Sequence, residues 1–380
     1  MLSQLAAGFI TSSQSRDVRR AARSWQRRAT GAPALVRYFH DPADPHSQLA
    51  VRMLPALAAR YRITLENHLV PPPDQAAAPD AQRLAAWSRR DAALLAGTYN
   101  LPAAPSEPTD TEDTATTAAM RAGAALRRRL GHYLGATFHF EGEWFWGLDR
   151  LHYLEQRLAA EKLDRAPGAP LLAPVRDITL AGPQNAGRGR ILNFFLSFRS
   201  PYTYLAVPRA RALAHHYGSE LRLRFVLPMV MRGLPVPLAK RLYILRDAKR
   251  EADRLGLPFG CVADPVGPGV ERGLAVLHHA IQAGTGAAFC ESFLRGVFAE
   301  GIDAATDKGL YRMAARAGIA PHDVAASLAD SSWRAIAEYN RQDLLAAGLW
   351  GVPSFRLDDG PALWGQDRLW AIEKMLCETA

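Results

Sequence analysis

The chain repeats a short pattern of residues at a constant distance. Residues 44–50, DPHSQLA, align with residues 200–206, SPYTYLA, and the same offset of 156 (200 − 44) pairs Val70 with Val226. Farther along, residues 146–151, WGLDRL, align with residues 364–369, WGQDRL, at an offset of 218 (364 − 146). Because the two blocks return in the same order, each half of the chain should fold into the same kind of unit. The larger second offset indicates a longer insertion in the second copy.

Each copy contains the same succession of hydrophobic patterns. An apolar run at residues 191–196 predicts a buried strand, and Ser200 followed by Pro201 predicts a helix N-cap and the first helical residue. A second strand, a helical insertion, a β-hairpin and a final helix follow. A βαβ unit followed by ββα is the thioredoxin arrangement, and a helical insertion between the halves is its DsbA-like variant. We therefore predict an α/β fold with two tandem thioredoxin-like (DsbA-like) domains, each with a helical insertion, the second larger.

Shifts in composition divide the chain. We predict a basic N-terminal helical segment at residues 1–33, a degenerate thioredoxin-like domain at 34–163, a Pro- and Gly-rich linker at 164–189 and a DsbA-like domain at 190–380. Within the second insertion, apolar spacing predicts helices at residues 237–254, 270–282, 288–299 and 332–349.

The composition restricts location and partners. With 48% apolar residues and no apolar run of about 18 residues, the chain should be globular and lack a membrane span. The N-terminus lacks the charged-then-apolar pattern of a secretory signal, which predicts a cytoplasmic location. The net charge of +9 includes an arginine cluster between residues 16 and 28, which favours a solvated helix face and only weakly a nucleic-acid partner.

The number and spacing of the cysteines argue against disulfide and dithiol redox chemistry. Cys261, Cys290 and Cys377 are far apart in the sequence, and the chain contains no Cys-x-x-Cys. Neither a disulfide framework nor a dithiol redox centre is therefore predicted, and a dithiol oxidoreductase is disfavoured.

Several motifs of the second copy together resemble one family. Phe194-Phe195 leads into SPYTYLA; residues 299–303 are AEGID, residues 351–355 are GVPSF, and WGQDRL closes the series. Between them a helix pattern carries Lys240, Tyr243 and Asp247. Over residues 190–380 the chain resembles the 2-hydroxychromene-2-carboxylate isomerases and kappa-class glutathione transferases. It departs from them at residues 229–237, MVMRGLPVP, which replace the Gly-Gly loop and the Thr-Gly-Asn of the family.

The resemblance implies a cofactor and a catalytic residue. It gives the catalytic role to Ser200, whose hydroxyl would hydrogen-bond the sulfur of glutathione while the helix N-terminus lowers the thiol pKa. It also implies that Pro201 and Tyr202 adjoin the bound glutathione. Arg232, in the departing loop, is a weaker candidate for contacting a substrate carboxylate.

The resemblance implies further contacts to glutathione near the end of the chain. Val352 and a cis Pro353 would pair with the extended glutathione backbone like an added strand. Gln366 and Asp367, at the start of the last helix, would hold its γ-glutamyl end. For Asp367 the alternative is that it only caps the helix.

Two functions remain open from these residues. The resemblance implies a glutathione-dependent isomerase, or a kappa-class-type transferase, acting on a small conjugated and aromatic electrophile. The alternative is a redox-inactive thioredoxin-fold module that binds a peptide or protein through Val352 and Pro353. The duplicated pattern is compatible with a homodimer or with an intramolecular pseudo-dimer.

The first copy differs at the catalytic position. Asp44 stands where the second copy has Ser200, and Ala136 stands where it has Pro353. Because an ionised aspartate cannot donate a hydrogen bond and repels a thiolate, we expect this copy to be degenerate. His40, Asp41, Asp44 and His46 are close enough to suggest a metal site, but short polar loops collect such residues by chance and we predict no metal.

Overall fold

A computed structural model of the protein describes residues 4–102 and 114–378. The described residues divide into two compact units. The N-terminal unit comprises residues 13–175, apart from the undescribed gap, and residues 237–243. The C-terminal unit comprises residues 4–12, 176–236 and 244–378. The predicted linker, residues 164–189, is thus divided between the units, and the independent folding of the predicted domains stays a prediction.

The elements follow the predicted order. Residues 4–175 form α1 (Gln4–Thr11), α2 (Ser13–Ala29), β1 (Leu35–His40), α3 (Pro45–Ala50), α4 (Leu54–Arg60), β2 (Thr64–Leu69), α5 (Ala81–Thr98), α6 (Thr114–Leu130), β3 (Thr137–Phe140), β4 (Glu143–Trp146) and α7 (Leu151–Ala160). Residues 176–378 form β5 (Ile191–Leu196), α8 (Pro201–Tyr217), β6 (Glu220–Phe225), α9 (Leu238–Arg254), α10 (Pro268–Gln282), α11 (Gly286–Ala299), α12 (Asp307–Arg316), α13 (Pro321–Ala329), α14 (Trp333–Ala346), β7 (Ser354–Leu357), β8 (Leu363–Trp364) and α15 (Leu369–Cys377). None of these helices is both long and apolar enough to span a lipid bilayer.

Both sheets have the same topology. The strand orders are β2-β1-β3-β4 in the N-terminal unit and β6-β5-β7-β8 in the C-terminal unit. In each, the first strand pairs in parallel with the second and antiparallel with the third. The bounds of β5 and β6 are those of β1 and β2 shifted by 156 (191 − 35 and 220 − 64). The predicted α/β class and the repeated strand–helix–strand pattern are confirmed.

The insertion helices of the C-terminal unit pack around the end of β5. Residues 192–196 of this central strand are all buried, so both of its faces are shielded from solvent. Just after it, the ring of Phe198 stacks on Phe293 of α11 with 4.0 Å between centroids. Gly273 of α10 permits this packing, since a Cβ there would lie 2.5 Å from the Phe293 ring. The segment leading from β5 to Ser200 is therefore fixed by packing.

Part of the arginine cluster is used within the N-terminal unit. Arg20 of α2 donates twice to Glu143 of the edge strand β4, at 2.8 Å each. Arg27 donates to Glu141 at 2.7 Å and to Glu161 at 2.9 Å. These partly buried ion pairs hold α2 against the hairpin, so the cluster is not wholly the solvated face that the sequence predicted.

A buried glutamate near the end of each unit binds the chain segment that joins the two repeats. In both cases the carboxylate accepts hydrogen bonds from two consecutive backbone N–H groups and from one tyrosine hydroxyl. The donors are Leu172, Ala173 and Tyr61 for Glu155, and Thr179, Leu180 and Tyr217 for Glu373. The two glutamates are 218 residues apart (373 − 155) and the two tyrosines 156 (217 − 61), so the arrangement follows the repeat.

Candidate functional site

Ser200 lies between the end of β5 and the start of α8. Its backbone is extended (φ −96°, ψ 113°), and its Oγ accepts a hydrogen bond from Thr203 N at 3.2 Å, as an N-cap does. The half-buried hydroxyl also donates to Val352 O at 3.4 Å. This distance is well beyond the usual 2.7–2.8 Å of an O–H···O bond, so the proton is weakly held. A stronger acceptor, such as a thiolate, could replace Val352 O.

The loop before β7 brings its backbone to Ser200. The Val352–Pro353 peptide bond is cis, as the resemblance predicted. Pro353 O accepts from Gly365 N at 2.9 Å, which ties this loop to the segment before α15. The ring of Trp364 also packs directly on Gly351. A Cβ at this position would lie 2.0 Å from the ring, so only glycine allows the contact. The GVPSF and WGQDRL motifs, both distant in sequence from Ser200, thus form one structural element beside it.

The side chains flanking Ser200 are held by carboxylates. Arg199 donates to both oxygens of Asp264, each at 2.7 Å. The hydroxyl of Tyr202 donates to Asp247 at 2.8 Å, and Asp247 on α9 is only 1% exposed. The proton of the Tyr202 hydroxyl is therefore already engaged, and the predicted contact of Tyr202 with glutathione stays a prediction.

Gln366 and Asp367 lie at the start of the final helical segment, but their environments differ. Gln366 is fully buried; its amide nitrogen donates to Glu251 at 3.1 Å and its amide oxygen accepts from Arg209. Asp367 is half-exposed and accepts from the Gln366 amide. The Gln366 side chain thus faces the interior of the unit, while Asp367 is the more accessible of the two. Their roles as glutathione ligands stay predictions.

Arg232 belongs to a one-turn 3-10 helix, Met229–Arg232, that ends at the left-handed Gly233. Burial lowers the pKa of its guanidinium, and the charge of Arg341 on α14 adds to this effect. The charged side chains of α14 therefore act on the Arg232 guanidinium.

The corresponding position of the first copy carries a closed ionic network. Asp44 accepts from the backbone N–H groups of His46 and Ser47 and caps α3. Although burial alone would raise the pKa of Asp44, its hydrogen bonds with His46 and Ser47 lower it, so the carboxylate is ionised. The other side of the His46 ring meets Asp91 at 2.9 Å. The charge and the lack of a donatable proton make this position unsuited to a thiolate.

This network is expected to make the stability of the N-terminal unit fall at alkaline pH. Burial alone would lower the pKa of His46, but its bonds with Asp44 and Asp91 raise it to about 10. An unfolded histidine has a pKa of about 6.5, so the stabilisation is complete below that pH and is lost as the pH rises towards 10. Thermal unfolding of the full chain between pH 6 and about 10 measures it.

The matched variants are His46→Gln and His215→Gln. His215 is exposed on α8, so its replacement should leave the alkaline loss of stability unchanged, whereas His46→Gln should remove part of it. An identical pH dependence in His46→Gln and the wild type would contradict the assignment.

Among the described residues no group of three His, Cys, Asp or Glu side chains is arranged to hold a metal ion.

One partnership was not evident from the sequence. His46 pairs with Asp91 on α5, and Tyr202 pairs with Asp247 on α9. The two pairs correspond through the repeat: Tyr202 lies 156 residues after His46 (202 − 46), and Asp247 lies 156 residues after Asp91 (247 − 91). The sequence identified Asp247 only as part of the family resemblance and did not single out Asp91. Extending the offset of 156 into the first insertion helix would have found both.

Comparison with known proteins assigns the C-terminal half. Residues 191–376 match the family model described as the DSBA-like thioredoxin domain. This region is a DsbA-like thioredoxin domain. No curated protein sequence matches the chain.

Similar solved structures cover about half of the chain. One is a 2-hydroxychromene-2-carboxylate isomerase, 23% identical, covering 49% of this chain and 94% of its own, with a TM-score of 0.41. Another is the cytosolic disulfide reductase DsbM from Pseudomonas aeruginosa, 22% identical, covering 50% of this chain and 100% of its own, with a TM-score of 0.40. A third is a probable DsbA oxidoreductase from Streptomyces coelicolor, 21% identical, covering 50% of this chain and 89% of its own, with a TM-score of 0.39.

Proposed function

We propose that the DsbA-like domain is a glutathione-dependent enzyme in which Ser200 stabilises the glutathione thiolate for attack on a conjugated, aromatic electrophile. The observation that supports this most directly is the Ser200 hydroxyl, half-buried beside the cis Val352–Pro353 bond and only weakly held at 3.4 Å by Val352 O. It lies at the N-terminus of α8, a 17-residue helix whose dipole favours a negative charge. Both features favour the thiolate over the thiol.

The backbone near Ser200 supports the binding of an extended peptide. Within the described residues, Val352 N–H has no hydrogen-bond partner. A free backbone donor next to a cis proline can pair with the glutathione backbone as an added strand does. We extend the proposal to Asp367 as a ligand of the γ-glutamyl ammonium, since a half-exposed carboxylate can accept from it.

The reaction would be an isomerisation through reversible addition. The sulfur forms a bond to the β-carbon of an enone, and the π electrons move to the carbonyl oxygen as an enolate. After rotation about the former double bond, the enolate electrons restore the double bond and the C–S bond breaks, which returns the thiolate. No proton or electron is gained overall, and splitting the step lowers its barrier. A transferase would use the same thiolate to displace a leaving group.

We further propose that the two units are tandem thioredoxin-like copies and that the N-terminal copy is catalytically degenerate. The identical strand orders and the repeated strand bounds support this interpretation. Asp44, ionised and without a proton to donate, explains why the first copy would not share the chemistry.

Glutathione and S-methylglutathione, each titrated into the full-length protein by calorimetry, test the function. Both compounds should bind. The pKa of the bound glutathione thiol, measured by the ultraviolet absorbance of the thiolate, should fall below the free value of about 8.5. S-methylglutathione has no thiol and serves as the control for this signal. Isomerisation of a conjugated enone should then require glutathione. An absence of glutathione binding would refute the proposal and favour the peptide-binding alternative.

A further inference from the structure

Among residues 4–102 and 114–378, Arg127 of α6 is a buried cation that forms no ion pair. Its side chain is only 5% exposed. In residues 4–102 and 114–378, Nη2 donates to Pro71 O at 3.4 Å, while Nε and Nη1 donate to no protein atom. Arginine remains charged even where burial lowers its pKa, as it does here. Because a buried charge is costly unless it is paired, this guanidinium is well suited to an external anion.

His132 supplies a second buried donor near Arg127. The ring is 1% exposed, and its Nδ1 accepts from Leu134 N at 3.2 Å. Burial lowers the pKa of His132 to about 3, and the charge of Arg127 contributes, so the ring is neutral at pH 7. Since Nδ1 is the acceptor, the proton of the neutral ring must be on Nε2. That Nε2 has no acceptor in the described part of the chain.

Aromatic packing holds the His132 ring in place. It stacks on Tyr133 at 5.0 Å and on Trp144 at 4.5 Å, and its edge meets Tyr243 at 4.7 Å between centroids. A ring fixed on several sides keeps its Nε2 donor in one direction, so little conformational entropy is lost when an acceptor binds.

The nearby acids favour a singly charged anion. The charge of Asp41 acts on Arg127 and favours its charged form. Burial raises the pKa of Asp41 to about 7, with the charge of Asp44 adding to the effect. Near neutral pH the charge of Arg127 is thus opposed by a partly ionised Asp41 and by Asp74, while the neighbouring Arg128 adds positive charge. A monoanion would be tolerated better than a dianion.

We propose that the N-terminal unit binds a small carboxylate, whose oxygens accept from the Nε and Nη1 groups of Arg127 and from Nε2 of His132. Charge-assisted hydrogen bonds from a guanidinium to a carboxylate are among the strongest in proteins. The inference does not depend on the glutathione site at Ser200, because every residue in it belongs to the N-terminal unit.

Thermal unfolding of the full-length protein in sodium acetate, benzoate, phosphate or chloride at equal ionic strength tests this site. Acetate or benzoate should raise the unfolding temperature saturably, whereas phosphate and chloride should not. Arg127→Gln should weaken the carboxylate effect about tenfold or more, as expected for the loss of a charge-assisted hydrogen bond. The matched control is Arg128→Gln, since Arg128 is the next residue of α6 and is exposed; it should bind like the wild type.

A second variant keeps the test decisive if Arg127→Gln fails to fold. His132→Phe preserves a flat ring between Tyr133 and Trp144 but removes the Nε2 donor, so it should fold and bind acetate several-fold more weakly. The proposal is overturned if the wild type shows no saturable carboxylate effect, if phosphate binds as well as acetate, or if the folded Arg127 or His132 variant binds acetate like the wild type.

Discussion

Replacing Ser200 by aspartate is expected to lower the proposed glutathione-dependent turnover about 100-fold or more while leaving the free energy of unfolding close to that of the wild type. Aspartate and serine are equally good N-caps, and Asp44 shows that the first copy caps α3 in this way. An ionised aspartate has no proton to donate, however, and its charge raises the pKa of a nearby thiol. The variant therefore separates the capping role of residue 200 from the chemical role proposed for it.

The measurements are the turnover of a conjugated enone with glutathione, the pKa of the bound thiol, and unfolding in denaturant. Ser200→Asp should lower turnover about 100-fold or more, the usual cost of losing one donor to a developing anion. Ser200→Ala should lose similar activity and also about 1 kcal/mol of stability through the missing cap.

Ser200→Thr is the matched control for both changes. Threonine keeps the hydroxyl and caps helices nearly as well as serine, so stability should be retained and activity should survive in part. Wild-type turnover by Ser200→Asp would contradict the role of the hydroxyl, whereas a large loss of stability in that variant would mean that the cap geometry does not tolerate a carboxylate.

Much of the fold was predictable because many of its strands and helices are determined by residues that are neighbours in the sequence. The strand pattern of residues 191–196 and the Ser-Pro start of α8 both depend on neighbouring residues, and the structure places β5 and α8 there. The offset of 156 predicted the same order of elements in the first copy, and β1 and β2 lie 156 residues before β5 and β6. Repetition made weak local patterns reliable because each was seen twice.

Two helices of the second insertion were not predicted. α12 and α13 have only 10 and 9 residues, and such short helices are stabilised by tertiary packing rather than by their own propensity. Gly309 further obscures α12, yet a side chain there would clash, since a Cβ would lie 2.0 Å from Asp303 O. The glycine that weakens the helical pattern is thus required by the packing.

The environment of the site was least accessible to sequence reasoning. Gln366 has the position expected for a ligand of glutathione, but its amide is engaged with Glu251 and Arg209, which are 115 and 157 residues away in the chain. Nothing in the local sequence reveals such partners. Likewise, the unpartnered donors of Arg127 could not be predicted, because arginines 127, 128 and 129 look alike in sequence and only the structure buries the first.

Replacing Glu373 by alanine is expected to lower the free energy of unfolding by about 2 kcal/mol. The carboxylate is 7% exposed and accepts from Thr179 N at 2.8 Å, Leu180 N at 2.5 Å and the Tyr217 hydroxyl at 2.9 Å. Only the Tyr217 hydroxyl is fully buried, and a buried donor left without an acceptor costs about 1–3 kcal/mol, whereas the N–H groups of Thr179 and Leu180 are accessible to water. The loss should appear in denaturant unfolding and in faster amide exchange at Thr179 and Leu180.

The control is Glu378→Ala, since Glu378 is exposed just beyond α15 and its side chain forms a surface pair with Lys374. Its replacement should change stability by less than about 1 kcal/mol. If the arrangement belongs to the repeat, Glu155→Ala should destabilise the N-terminal unit similarly, since Glu155 accepts an equivalent set of donors. A loss in Glu373→Ala no larger than in Glu378→Ala would show that these bonds contribute little, and the repeated glutamate would then have no structural role.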